Sequence, residues 1–206
     1  MAMYNTDFKL VKRAIDSVLK QSFQNFELII IDDGSQNDSN NELLNYIKKF
    51  EHKITYIRHA NIGQAESINR VVPMSRGEYV TIIDSDDEYK SDHLSLCLRK
   101  IGDLDLIAST TDTIVNSEVD YYVSDLFDTK QVIHVDNCIL FATLLGKREV
   151  FLDIRFQNGY AADADFYKRA SEQYRVKKFD LRTYIYYRNI GNSVTALLKK
   201  QNLVFS

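Results

Sequence analysis

The sequence predicts an α/β fold with a mostly parallel central sheet flanked by helices. Three observations carry that expectation. Helix-like and strand-like apolar patterns alternate through the first half of the chain. The strand-like runs are nearly continuous rather than alternating, which marks strands buried on both faces. Two of those runs end directly in acidic clusters, where open α/β sheets carry their ligand sites.

The elements follow in order. In 6–21 the apolar positions Leu10, Val11, Ala14, Ile15, Val18 and Leu19 have helical spacing. The short run 26–31 reads as a buried strand. Leu43, Leu44 and Ile47 repeat the helical pattern over 40–50, and 54–58 is a second strand. A short helix is expected over 64–72 and a third strand over 79–83. Ser91 reads as the N-cap of a helix through Leu94, Cys97, Leu98 and Ile101, before a strand at 104–108. Strands alternating with helices at this spacing give a mostly parallel sheet. Beyond residue 110 the pattern loosens. Short strands are expected at 121–123, 132–135 and 184–188 and a helix over 162–174, while 138–151 is apolar but ambiguous. Without a repeat, a low-complexity tract or a proline-rich linker, 1–206 reads as a single domain, with 1–110 and 111–206 as its two halves.

Composition narrows the functional classes. The 206 residues are 45% hydrophobic, enough for an ordinary core rather than a disordered chain. A formal net charge of -3 argues against a nucleic-acid partner held by charge. Cys97 and Cys138 are too few for a disulfide scaffold, and Cys97 falls in an apolar helical pattern. His52, His59, His93 and His134 show no metal-ligand spacing. No signal peptide or membrane-length apolar run is present, so a cytoplasmic chain is expected, with peripheral membrane contact left open.

Three acidic features could carry chemistry. On an extended segment, Asp84 and Asp86 would point to one side and face one hard cation. Magnesium and manganese take oxygen ligands and are often completed by substrate phosphates. The ordinary alternative is a solvated acidic turn. Asp32-Asp33-Gly34-Ser35 is by default a turn, and its functional alternative is a carboxylate that accepts from a base or ribose. Asp163 stands near the start of a helix, where capping is the ordinary role and general base the alternative. No phosphate-binding glycine motif is present.

The order of these motifs resembles family 2 glycosyltransferases. The resemblance runs through Ser17-Val18-Leu19-Lys20-Gln21-Ser22, then Phe26-Glu27-Leu28-Ile29-Ile30-Ile31-Asp32-Asp33-Gly34-Ser35. It continues through Asn61-Ile62-Gly63, Ser67-Ile68-Asn69, Gly77-Glu78-Tyr79 and Asp84-Ser85-Asp86-Asp87. A weaker match covers 141–195, through 147–151, Asp163 and Tyr187-Arg188. The resemblance implies a GT-A fold and inversion at the anomeric carbon. It assigns Asp33 to the uracil, Asp84 to the ribose or diphosphate, Asp86 to Mn2+ or Mg2+, and Asp163 to the general base. Tyr4 and Gly63 would line the nucleotide pocket.

The chain departs from that pattern at three places. Met1-Ala2-Met3-Tyr4-Asn5 puts Ala2 where the family has proline, with the usual first strand largely absent. Ala162 stands where the family carries glutamate, and Ile190 where many relatives carry a metal-binding histidine. Two readings therefore stay open. One is a glycosyltransferase moving a hexosyl or N-acetylhexosaminyl group from a UDP-sugar to a glycan or lipid-linked acceptor in cell-surface polysaccharide synthesis. The other is a catalytically silent nucleotide-sugar binder. A phosphatase using Asp84 as nucleophile would need that motif early in the chain, and here it is mid-chain.

Overall fold

A computed structural model describes residues 1–37, 40–124 and 131–189. The chain begins with β1 (Ala2–Met3), α1 (Phe8–Leu19), β2 (Leu28–Asp32), α2 (Asn40–Ile47), β3 (Ile54–Arg58) and α3 (Gln64–Val71). Next come β4 (Tyr79–Thr81), β5 (Glu88–Tyr89), α4 (His93–Ile101) and β6 (Leu106–Ile114). The remainder holds β7 (Tyr122–Ser124), β8 (Val132–His134), β9 (Leu144–Lys147), α5 (Arg148–Ile154), α6 (Ala162–Ser171) and β10 (Val176–Tyr187).

The parallel expectation holds for the first sheet, in which β1 and β3 flank β2 in parallel. It fails for the second, whose order is β4-β9-β6-β10-β5. There β9 runs antiparallel to both β4 and β6, and β10 is parallel to β6 but antiparallel to β5. The cause lies in the ambiguous segment 138–151, which turns without a crossover helix into β9. An antiparallel neighbour needs no long crossover connection. The predicted strands near 104 and 184 also prove longer than their apolar runs, because β6 and β10 pair with each other along their lengths.

Helix α1 shows how local sequence sets an element. Asp7 caps it by accepting from the Lys9 amide at 2.8 Å, and Val11, Ala14, Ile15 and Val18 turn inward. Ser91 does not cap α4. Asp92 holds the N-cap position without a side-chain bond, and Gln21 at the end of α1 accepts instead from the Leu94 amide at 2.9 Å. Cys97 is buried, as its helical position predicted. His93 is a core residue stacked on Tyr89 at 3.8 Å, with burial holding its imidazole down to about 3. No helix among the described residues is long and apolar enough to cross a membrane.

Candidate active site

The acidic loops converge where β2 and β4 lead out of their sheets. Asp32 is fully buried and accepts from the Ser35 amide at 2.8 Å and the Tyr56 hydroxyl at 2.7 Å. The Asp33 carboxylate takes the Ile62 amide at 2.7 Å, the Gly63 amide at 2.9 Å and the Asn61 side-chain amide at 3.0 Å. It is thus a staple that holds the 61–63 loop. Gly34 makes the turn possible. Its φ of 79° lies in the left-handed region, and a Cβ there would meet the Asn61 nitrogen at 2.8 Å.

From that loop a short chain of contacts reaches the second cluster. Gly63, with φ at 92°, turns the backbone into α3. The next residue, Gln64, donates to Asp84 Oδ1 at 2.7 Å. The start of the chain is tied in as well. Asn5 N donates to Ser35 Oγ at 2.9 Å, and the Thr6 and Ser85 hydroxyls share a bond of 2.7 Å. Tyr4, next to Asn5, leaves half of its side chain exposed beside these loops.

Residues 84–87 form a turn, so the same-side argument for an extended Asp84 and Asp86 does not hold. The Asp87 amide reaches back to the Asp84 carbonyl at 3.4 Å. Crowding, rather than strand alternation, makes this turn unusual. Burial, and then the charge on Asp86, push the Asp84 carboxyl up to about 6. Asp86 is raised by burial, and Asp87 well above the ordinary carboxylate range by burial and by its neighbours Asp84 and Asp86.

The turn is braced from distant elements. The Tyr184 hydroxyl donates to Asp87 and to Asp84 Oδ2, the latter at 3.2 Å. The Tyr187 amide donates to Asp87 Oδ1 at 2.7 Å. Arg13 donates to the Asp86 carbonyl, lies over the Tyr187 ring at 3.8 Å and pairs with Glu88 at 3.2 Å. Asp163, in the first turn of α6, accepts from the Ala164 amide at 2.8 Å and the Phe141 amide at 3.2 Å. Burial raises it to about 6, and its charge is among those that raise Asp84. Asp163 and the acidic turn therefore share one electrostatic neighbourhood.

The glycosyl transferase family 2 model matches residues 1–181, a span that includes Asp33, Asp84, Asp86 and Asp163. The chain belongs to glycosyl transferase family 2. It is 27% identical over 150 residues to glycosyltransferase GlyA of Streptococcus pneumoniae, covering 72% of this chain and 21% of GlyA. It is 26% identical over 220 residues to GlyG of the same organism, covering 92% of this chain and 70% of GlyG. The S. aureus TarS 1–349 structure in complex with UDP-GlcNAc superposes with a TM-score of 0.69 at 20% identity, over 93% of this chain and 58% of that one. Mannosyltransferase PcManGT from Pyrobaculum calidifontis, in complex with GDP-Man and Mn2+, gives a TM-score of 0.73 at 15% identity, over 98% of this chain and 59% of that one. These likenesses show the GT-A fold.

Within this family 2 domain, the sequence pointed to Tyr4, Asp33, Gly63, Asp84, Asp86 and Asp163, and missed Gln64, Tyr184, Tyr187 and Arg13. Tyr184 lies 100 residues from Asp84, in a tyrosine-rich strand whose pattern carries no chemical signal. Ile190 falls outside the described residues. Among the described residues no group of three or more His, Cys, Asp or Glu side chains is placed to hold a metal ion by itself. The chemistry still suits a hard cation. Asp86 is an oxygen donor whose charge is disfavoured by burial, and magnesium or manganese is commonly held by one or two carboxylates with substrate phosphates completing the shell.

Proposed function

We propose that this domain transfers a sugar, hexosyl or N-acetylhexosaminyl, from a UDP-sugar to a hydroxyl of a glycan or lipid-linked acceptor, with inversion, in cell-surface polysaccharide synthesis. The observation that carries the reading is that the charge on Asp163 reaches the crowded turn at Asp84. Both carboxyls are raised to about 6. A base with a pKa near the operating pH combines a usable ionised fraction with real proton affinity. Asp163 takes the proton of the acceptor hydroxyl as that oxygen attacks the anomeric carbon. The bond from that carbon to the diphosphate oxygen breaks on the opposite face, and UDP departs. Asp84 contacts the donor at the ribose or diphosphate, while Tyr4, Gly63 and the loop stapled by Asp33 line the nucleotide pocket. Asp86 would hold Mn2+ or Mg2+, which when bound supplies charge neutralisation for the diphosphate. The ligands bound in the TarS and PcManGT structures, UDP-GlcNAc and GDP-Man with Mn2+, support a nucleotide-sugar donor.

A second reading, a silent nucleotide-sugar binder, draws on Ala162. This residue is buried at the start of α6, so the position beside Asp163 offers no second carboxylate. Calorimetric titration with UDP and MnCl2, combined with UDP release from a panel of UDP-sugars and acceptors, separates the two. Transfer predicts manganese-dependent UDP binding, loss of that dependence in Asp86→Ala, and UDP release on acceptor addition. Binding without any donor consumption would favour the silent reading. Equal UDP affinity with and without manganese, unchanged in Asp86→Ala, would remove the metal from both.

A further inference from the structure

Arg188 is a buried cation that the fold leaves without a counter-charge. It is 8% exposed, and its Nε and Nη1 have no hydrogen-bond partner. Its Nη2 donates to the Tyr122 carbonyl at 3.3 Å. Among the described residues no ion pair includes it. Arg13, the other arginine near the acidic turn, is paired with Glu88 at 3.2 Å. A guanidinium keeps its charge at every pH a protein meets, and it only donates. The missing partner is therefore an acceptor. A neutral oxygen would satisfy the N–H groups, but an anion also offsets a charge taken out of water.

The position of Arg188 says where that anion comes from. Arg188 directly follows β10, and its amide still bonds the Ile114 carbonyl at 2.9 Å. Side chains two apart on an extended segment share a face. Tyr184 and Tyr186 stack at 6.0 Å, and the guanidinium lies 5.8 Å from the Tyr186 ring. At the near end of this row the Tyr184 hydroxyl reaches Asp84 and Asp87. At its far end, roughly 13 Å on at about 3.3 Å per residue, stands Arg188. There its partner strand is β7. Two residues after Tyr122 in that strand, the Ser124 carbonyl accepts from the Tyr160 hydroxyl at 2.6 Å. Tyr160 in turn precedes Asp163 by three residues, at the start of α6. Arg188 is thus tied to the segment that carries Asp163, while Asp84 and Asp86 are contacted by Gln64 and Arg13 from the first half of the chain.

We propose that Arg188 binds an oxyanion carried by the acceptor, so that this domain glycosylates a negatively charged acceptor rather than a neutral one. The proposal rests on the transfer reading, in which Asp163 marks the acceptor side. The hydrogens on Nε and Nη1 give the oxyanion charge-assisted bonds, which are shorter and stronger than neutral ones. Phosphate and carboxylate both meet that chemistry.

The probe is glycerol 3-phosphate, titrated calorimetrically into the full chain already saturated with UDP and MnCl2, with glycerol as the neutral control. Glycerol 3-phosphate should bind and glycerol should not. Arg188→Met should weaken the phosphate by about tenfold or more, Arg188→Lys should restore part of it, and UDP affinity should stay within about twofold in both. Arg188→Met should also match or exceed the wild-type Tm without ligand, because it removes an uncompensated buried charge, and should lose the Tm rise that glycerol 3-phosphate gives the wild type. Equal phosphate affinity before and after the substitution would overturn the proposal. So would a tenfold loss of UDP affinity in Arg188→Met, which would assign the guanidinium to the donor diphosphate, or a lower Tm without ligand, which would make it structural. A wild-type chain that binds no UDP is a failure of the transfer reading, and glycerol 3-phosphate titrated into the UDP-free chain then tests Arg188 by the same comparison.

Discussion

The acids after β2 and the acids after β4 occupy equivalent places at the ends of their strands and both accept hydrogen bonds, yet only the second group is crowded by further carboxylates. Asp32 and Asp33 are saturated with donors. Three come to Asp33 from residues 61–63 alone, and Asp32 takes Ser35 and Tyr56. Asp84, Asp86 and Asp87 crowd one another, and burial pushes all of them upward. A satisfied buried carboxylate fixes a loop, and a crowded one holds affinity in reserve for a proton or a cation. The comparison teaches that an acid at a strand end is defined by its burial and by the charges beside it as well as by its donors. On the proposed function, the first loop would shape the pocket, and the second, with Asp163, would carry the reactive charge.

The sharpest break in that comparison is Asp163→Asn. It keeps an acceptor oxygen for the Phe141 amide but removes the proposed base, so turnover should fall by roughly 10² to 10⁴-fold while UDP binding holds. Steady-state transfer measured beside UDP titration reads both, and equal losses would make Asp163 structural. Asp33→Ala should act in the other direction, on the fold. It strands the Ile62 and Gly63 amides, at a cost of about 1–3 kcal/mol in urea unfolding. A full-strength domain that merely loses UDP affinity would show that the staple is dispensable.

Tyr184→Phe probes the bracing of the crowded turn. Losing a hydroxyl shared by Asp84 and Asp87 should cost about 1 kcal/mol or more and weaken UDP binding, with no change at the 61–63 loop by hydrogen exchange. The smallest effect is on pH. The Asp84 and Asp163 carboxyls are raised in the folded state, so the fold binds more protons than the unfolded chain between about 4 and about 6. Their contribution to stability is therefore fully present below about 4 and lost as pH rises through about 6. Turnover should run the opposite way, falling as pH drops below about 6 and Asp163 is protonated. Tm and rate measured against pH should diverge, and Asp163→Asn should flatten part of the Tm slope.

Much of this was legible in the residues. The helical spacing through Val11, Ala14, Ile15 and Val18 gave α1, and the apolar run before Asp32 gave β2. The second sheet was less legible, because β9 and the far half of β6 take their register from cross-strand partners rather than from their own pattern. Ser91 looked like a cap, but Gln21, 73 residues before the amide it bonds, supplies α4 instead.

The sequence by itself determined which acids stand at strand ends and the family to which their order belongs, since apolar periodicity and motif spacing are local properties. Tertiary structure decided which acids are spent and which are loaded. Asp33 is occupied because the 61–63 loop folds back over it. Asp84 and Asp87 are raised because the fold buries them beside each other and beside Asp86, and Tyr184, reaching them across about half the chain, offsets part of that by donating to both. Donor count and desolvation depend on what is near in space, and that no run of residues encodes alone.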